Sequence, residues 1–218
     1  GHGVEDLASR LVRGEGQGDE GDPAAERGHD HRDHAFLAGS DVDSFVWLKS
    51  FVQTYLERDL PQLGLSLPAP LLHRFWTMVA HFHGQTWNSS DVARSLGVSD
   101  QTTRRYLDML SAAYLVRQLP PWFENVGKRQ VKAPKVYVRD SGVLHRLLDI
   151  TAAKALVAHP KCGASWEGFV IEHILRRCDD SQGYFWGTHS GAELDLLLIR
   201  GTRRFGFEIT WGDAPAVT

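Results

Sequence analysis

The chain has 218 residues, 42% of them hydrophobic, and a formal net charge of −3, which suits one large or two small domains. Its two cysteines, Cys162 and Cys178, have neither metal-ligand spacing nor a disulfide framework. There is no long apolar run to span a membrane and no apolar signal core at the N-terminus, so no membrane partner is expected and a cytoplasmic location fits.

Residues 1–34 are glycine-rich, polar and acidic (GEGQGDEGDPAAERGHDHRDH). They carry too little apolar surface to offset ordering entropy, and a disordered tail is expected. Gly16, Gly18 and Gly21 match G-x-G-x-x-G, but no strand precedes them and no helix follows, so the match implies no nucleotide. His29, Asp30, His31, Asp33 and His34 could scavenge a metal ion, yet no scaffold fixes them.

Residues 35–68 read as a helical lead-in. Ser44 is expected to cap a helix whose apolar face is Phe45, Leu48, Phe51, Val52, Tyr55 and Leu56, with Pro61 as its stop. Residues 69–150 read as a winged helix-turn-helix domain. Leu71 to His83 form its supporting helix, with Leu72, Phe75, Trp76 and Val79 inward; His81 and His83 are structural rather than ligands. Ser89 or Ser90 caps a short helix, Asp91 to Leu96, ended by Gly97. Ser99 caps a second helix with Leu107, Leu110 and Tyr114 on one side. Its front carries Thr102, Thr103, Arg104 and Arg105, and such a helix is the one offered to a DNA major groove. Leu115, Val116 and Leu119 then form a strand, Trp122 to Lys135 a basic wing loop, and Lys135 to Val138 the returning strand. From Arg104 to Arg139 the cations Arg104, Arg105, Arg117, Lys128, Arg129, Lys132, Lys135 and Arg139 face only Asp108 and Glu124 in sequence. Such a local excess favours a phosphate backbone, and a solvated wing is the plain alternative. A helix-turn-helix can equally be a protein-docking unit.

A short helix from Val143 to Leu148 and a connection from Thr151 to Cys162 lead to residues 160–218. There an amphipathic helix, Trp166 to Arg177, precedes strands at Tyr184 to Trp186, Glu193 to Ile199 and Arg204 to Trp211. The fold class is α+β: a winged helix-turn-helix followed by an α/β layer. Alternation places Glu208 and Thr210 on one face of the last strand. Asp195 and Glu208, with Glu167 from the helix, could hold Mg²⁺ through oxygen ligands and so activate water against a phosphodiester. Mg²⁺ is the one cofactor these residues suggest.

The segments YLERDLPQLG, NSSDVARSLGVSDQTTRRYLDMLSAAYLVRQLPPW, KRQVKAPKVYVRDSGVLHRLL, WEGFVIEHIL and GAELDLLLI…FEITWGDAP, in that order, resemble a prokaryotic AAA-type ATPase family. Its C-terminal half is catalogued as domain of unknown function 4143. The resemblance implies a winged helix followed by a PD-(D/E)xK nuclease-like region, with the motif falling on Glu167, Asp195, Glu208 and position 210. Two departures stand out. The motif's lysine is Thr210, which has no charge to stabilise an attacking hydroxide. The sequence also contains no G-x-x-x-x-G-K-[ST], so no nucleotide partner is expected, and the chain reads as a truncated C-terminal portion. Three functions follow. The first is a non-catalytic module binding duplex DNA or a protein through Thr102, Thr103, Arg104, Arg105, Lys128, Arg129, Lys132 and Lys135. The second is a regulatory or docking fragment acting with a complete ATPase. The third is a Mg²⁺-dependent nuclease.

Overall fold

The computed structural model describes residues 41–62, 68–122, 132–178, 183–187 and 192–212. The tail expected at residues 1–34 and most of the wing loop lie outside them. The described chain mixes helices with two antiparallel three-stranded sheets, as an α+β fold does.

Helix α1 (Asp41–Thr54) begins three residues before Ser44, so Ser44 lies inside the helix and is not its cap. The helix then widens into a π-helical turn, Tyr55–Asp59, and continues through Leu60–Gln62. Pro61 therefore does not stop the helix. A proline ring collides with the carbonyl four residues back, here Glu57, and the wider turn lies at that point. Helix α2 (Ala69–His81) buries Leu72, Phe75, Trp76 and Val79.

Helix α3 (Ser89–Leu96) is capped by Asn88, whose side chain accepts from the Ser90 and Asp91 N–H groups. The cap is thus one residue earlier than expected from the serines. Gly97, at φ 69°, takes the left-handed conformation that ends the helix. Ser99 caps α4 (Asp100–Ala112) by accepting from the Thr102 N–H. The chain leaves α4 through Tyr114 at φ 59°, a conformation that usually favours glycine.

Strands β1 (Gln85–Thr86), β2 (Val116–Leu119) and β3 (Lys135–Val138) form the first sheet in the order β1-β3-β2. Every residue of β3 is buried. Alternation sends Val136 and Val138 into one core with Phe75, Trp76, Leu107 and Leu110. It sends Tyr137 into a second core with Leu119, Ile171, Leu175, Phe185 and Leu196. Helix α5 (Ser141–Leu147) follows, capped by Asp140 accepting from the Val143 N–H, then α6 (Ala153–Val157). Helix α7 (Cys162–Arg177) starts four residues before the expected Trp166.

The second sheet is β4 (Gly183–Gly187), β5 (Glu193–Arg200) and β6 (Arg203–Phe207), in chain order. The last strand stops at Phe207 rather than Trp211, so Glu208 and Thr210 lie past its end. The physical reason is a side-chain contact: the Ile209 N–H donates to Asp195 Oδ2 at 2.9 Å, a carboxylate replacing the ladder's carbonyl.

Candidate functional site

Glu167 sits in the second turn of α7, where Gly168 allows the helix to lie against the first sheet. A Cβ at Gly168 would stand 2.6 Å from His83 Nε2 and 3.1 Å from the Tyr137 ring. His83 is fully packed and fixed at both nitrogens: Nδ1 accepts from the Val138 N–H at 3.0 Å, so Nε2–H donates to the Ala164 carbonyl at 3.0 Å. Burial pushes its pKa down to about 3, which keeps it neutral. It is a structural histidine, although it stands beyond the end of α2.

This packing brings β3 against the acidic residues of α7 and β5. Lys135 Nζ lies 3.1 Å from Glu167 Oε1, 2.5 Å from Glu193 Oε1 and 3.5 Å from Asp195 Oδ1. Tyr137, two residues on and therefore on the same strand face, donates its hydroxyl to Glu167 Oε1 at 2.5 Å. Burial raises the Glu167 pKa, while Lys135 and the Tyr137 hydrogen bond pull it back. Burial alone would lower the Lys135 pKa, but Glu167, Glu193 and Asp195 outweigh it and the net shift is upward. Tyr137 is pushed well above its ordinary range by burial, then by Glu167.

Asp195 thus has one oxygen facing an ammonium and the other holding a backbone N–H. Glu208 is exposed, and its pKa is raised by slight burial and by repulsion from Asp195 and Glu193. Thr210 is exposed. Among the described residues no group of three or more His, Cys, Asp or Glu could hold a metal ion. The inward carboxylate oxygens of Glu167, Glu193 and Asp195 converge on Lys135. A charged nitrogen thus comes back to the acidic cluster from β3, where position 210 supplies none.

A second ion-pair cluster lies beside the first. Glu172, nearly inaccessible on α7, takes both Arg117 of β2, through Nε and Nη2, and Arg139, at 2.9 Å. Three of the basic residues counted between Arg104 and Arg139 therefore face carboxylates of α7 and β5. Lys135, nominated from the sequence as a DNA-contacting wing residue, is 4% exposed.

On α4 the sequence-nominated residues divide. Arg104 and Arg105 are exposed, and Thr102 is half-buried beside its cap. Thr103 is fully buried, its hydroxyl within 3.3 Å of the Ser89 carbonyl and 2.9 Å of the Asp100 carbonyl. It locks α4 onto α3 and does not stand on the front. Lys132 is exposed. Lys128 and Arg129 lie outside the described residues. Between the start of α3, α4 and β2 runs a groove of about 770 Å³ lined by Arg104, Lys132, Trp87 and Gln118 among others.

Comparison with known proteins returns uncharacterized relatives. Two proteins, from Mycobacterium bovis and Mycobacterium tuberculosis, are each 49% identical over 184 residues, covering 84% of this chain. The chain spans 42% of the length of each of these relatives. No solved structure matches. Residues 162–217 match the family model of domain of unknown function DUF4143, which is the part holding Glu167, Glu172, Asp195 and Glu208. Residues 34–154, holding α1 to α5 and the first sheet, match that of domain of unknown function DUF8612, and the chain belongs to that family.

Proposed function

We propose that this chain is a non-catalytic duplex-DNA-binding module, with α3 and α4 as a helix-turn-helix, β2 and β3 as the base of a wing, and a nuclease-like layer behind them. The observation that carries the reading is the pair of adjacent exposed arginines, Arg104 and Arg105, on a helix whose other side is locked to α3. A helix held that firmly presents its cations in a fixed register, as phosphate and groove contacts need. The ion pairs of Arg117, Lys135 and Arg139 count against a DNA contact, so affinity in this reading rests on Arg104, Arg105 and Lys132 together with Lys128 and Arg129 of the wing loop. The derivation we favour is from the C-terminal part of a prokaryotic AAA-type ATPase. The layer behind is a scaffold in this reading, because Lys135 fills the centre of its carboxylate cluster. A gel shift with duplex DNA at low and moderate salt tests the proposal: a shift at low salt that weakens steeply with salt supports it. No shift at low salt rejects it.

A second reading, a docking or regulatory fragment acting beside a complete ATPase, is favoured by one feature. Trp166, Phe169 and Trp211 are all exposed, with Trp166 stacked on Phe169 at 5.7 Å and edge-on to Trp211 at 5.6 Å. Clustered exposed aromatics are what protein contacts select.

A further inference from the structure

We propose that the outer edge of β6 is a self-pairing interface, joining two copies of this chain antiparallel about Gly206 through Arg204, Phe205, Gly206, Phe207 and Glu208. The second sheet has two outer strands, β4 and β6. The edge of β4 is already occupied: the Trp122 N–H donates to the Phe185 carbonyl at 2.7 Å, and the Phe185 N–H to the Pro120 carbonyl at 3.0 Å. Among the described residues no strand or bridge pairs with β6 on the side away from β5. The Ile209 N–H points toward β5, where it donates to Asp195. Backbone N–H groups alternate in direction along an extended chain, so those of Phe205 and Phe207 also point to β5. Those of Arg204, Gly206 and Glu208 point outward. An outward row of this kind is a template for another strand.

The occupant follows from the order of side chains along the edge. From Arg204 to Glu208 they run basic, aromatic, glycine, aromatic, acidic. An antiparallel copy presents the complementary order. Centred on Gly206, it sets Gly206 against Gly206 as a hydrogen-bonded pair, Arg204 against Glu208 twice, and Phe205 against Phe207 twice. Opposite residues share a sheet face. The aromatic pairs therefore fall on the face where Phe205 and Phe207, each half-buried, already pack on the second core. The ion pairs fall on the other face, where Arg204 and Glu208 are both exposed. The Arg204 guanidinium lies over the Trp122 ring at 5.6 Å, an exposed contact of the same order as a cross-strand ion pair, so it can turn to the copy. A parallel copy would instead set Arg204 beside Arg204 and Glu208 beside Glu208. The flanks carry the same polarity: Arg203 pairs with Arg200 at the basic end, and Asp195 and Glu193 lie near Glu208 at the acidic end. Slight burial and then repulsion from these two carboxylates raise the Glu208 pKa, so a cation brought by the copy is favoured there. The result is a two-fold contact in which the same patch serves both chains. Five residues of edge make a small interface, so the association is reversible, with a Kd of roughly 1–100 μM. It goes beyond the DNA reading and stands without it.

Sedimentation equilibrium of the full chain across this range tests the proposal. The native chain should pass reversibly from monomer to dimer. Arg204→Glu sets acid against acid twice, and Glu208→Arg sets base against base twice. Each should weaken the dimer at least roughly tenfold. Mixed one to one, the two variants again join an acidic to a basic side chain at both contacts, and the dimer should return to near native affinity. A structural role for either residue gives no such recovery. A native chain that stays monomeric, a dimer that neither variant weakens, or variants that do not associate on mixing overturns the proposal. Amide exchange of the native chain is a second reading that needs no variant to fold. The Arg204, Gly206 and Glu208 amides should gain protection as concentration rises, and unchanged exchange rejects the interface.

Discussion

Replacing Lys135 by methionine removes the charge while keeping the length of the side chain. In the native chain three carboxylates converge on its ammonium, and their side chains are 14% exposed for Glu167, 13% for Asp195 and 47% for Glu193. Glu193 is largely wetted, and its share is about 0–1 kcal/mol. Glu167 and Asp195 are left as buried carboxylates without their cation, and breaking such a buried pairing costs about 3–5 kcal/mol. Against a typical total stability of about 5–15 kcal/mol, the loss at neutral pH is large. Its pH dependence follows from Glu167. Its folded pKa is already raised by burial, and losing Lys135 raises it further. A raised folded pKa gives stability that is full below the unfolded value and is lost as pH rises through the folded value. The variant should therefore lose most stability at pH 7.5 and recover part of it as the pH is lowered to 5. Urea unfolding of both chains at the two pH values measures this. A loss below about 1 kcal/mol at pH 7.5, or a loss that does not shrink on acidification, refutes the claim that Lys135 neutralises the cluster.

Four further outcomes are expected. Gly168→Ala forces a methyl to within 2.6 Å of the doubly anchored His83 ring, and should cost about 1–3 kcal/mol by urea unfolding. Tyr114→Gly relieves a left-handed non-glycine residue at φ 59° and should stabilise by up to about 1 kcal/mol, less whatever the Arg139 contact to its ring contributes; thermal unfolding reads it. Supercoiled plasmid should remain unnicked in Mg²⁺ with the native chain and with Thr210→Lys, since a lysine alone does not position substrate; nicking abolished by Asp195→Ala would instead establish a nuclease. Calorimetry with ATP should show no micromolar binding, because no phosphate-cradling loop occurs in the sequence.

Much of the architecture was legible because local rules and tertiary packing agree along most of the chain. Gly97 and Ser99 mark the turn between α3 and α4 by backbone freedom and by capping, and both act as expected. Strand β3 was located to the residue, from Lys135 to Val138. The errors lie where a distant partner decides. Strand β1 exists because β3 pairs with it, and α6 is a helix of only five residues. Glu208 and Thr210 leave the ladder because Asp195 takes the Ile209 N–H. At the site, the sequence nominates Glu167 and Asp195 but puts Lys135 among the wing cations offered to DNA. A Lys-x-Tyr pair alternating along a strand can face solvent or a core with equal ease. Only the second core, which Tyr137 enters beside Ile171 and Leu196, turns Lys135 toward the carboxylates. Thr103 was misplaced for a related reason: helical periodicity assigns it to the front edge, and close packing of α3 draws it inside.

Whether the exposed cations on α4 bind duplex DNA is read by fluorescence anisotropy of a labelled duplex over a salt series, with the native chain and with Arg104→Ala plus Arg105→Ala. Binding at low salt is expected, with a log–log salt slope that becomes shallower by about 0.9 for each phosphate contact the variant loses. Absence of binding by the native chain, or an unchanged affinity and slope in the variant, would contradict it.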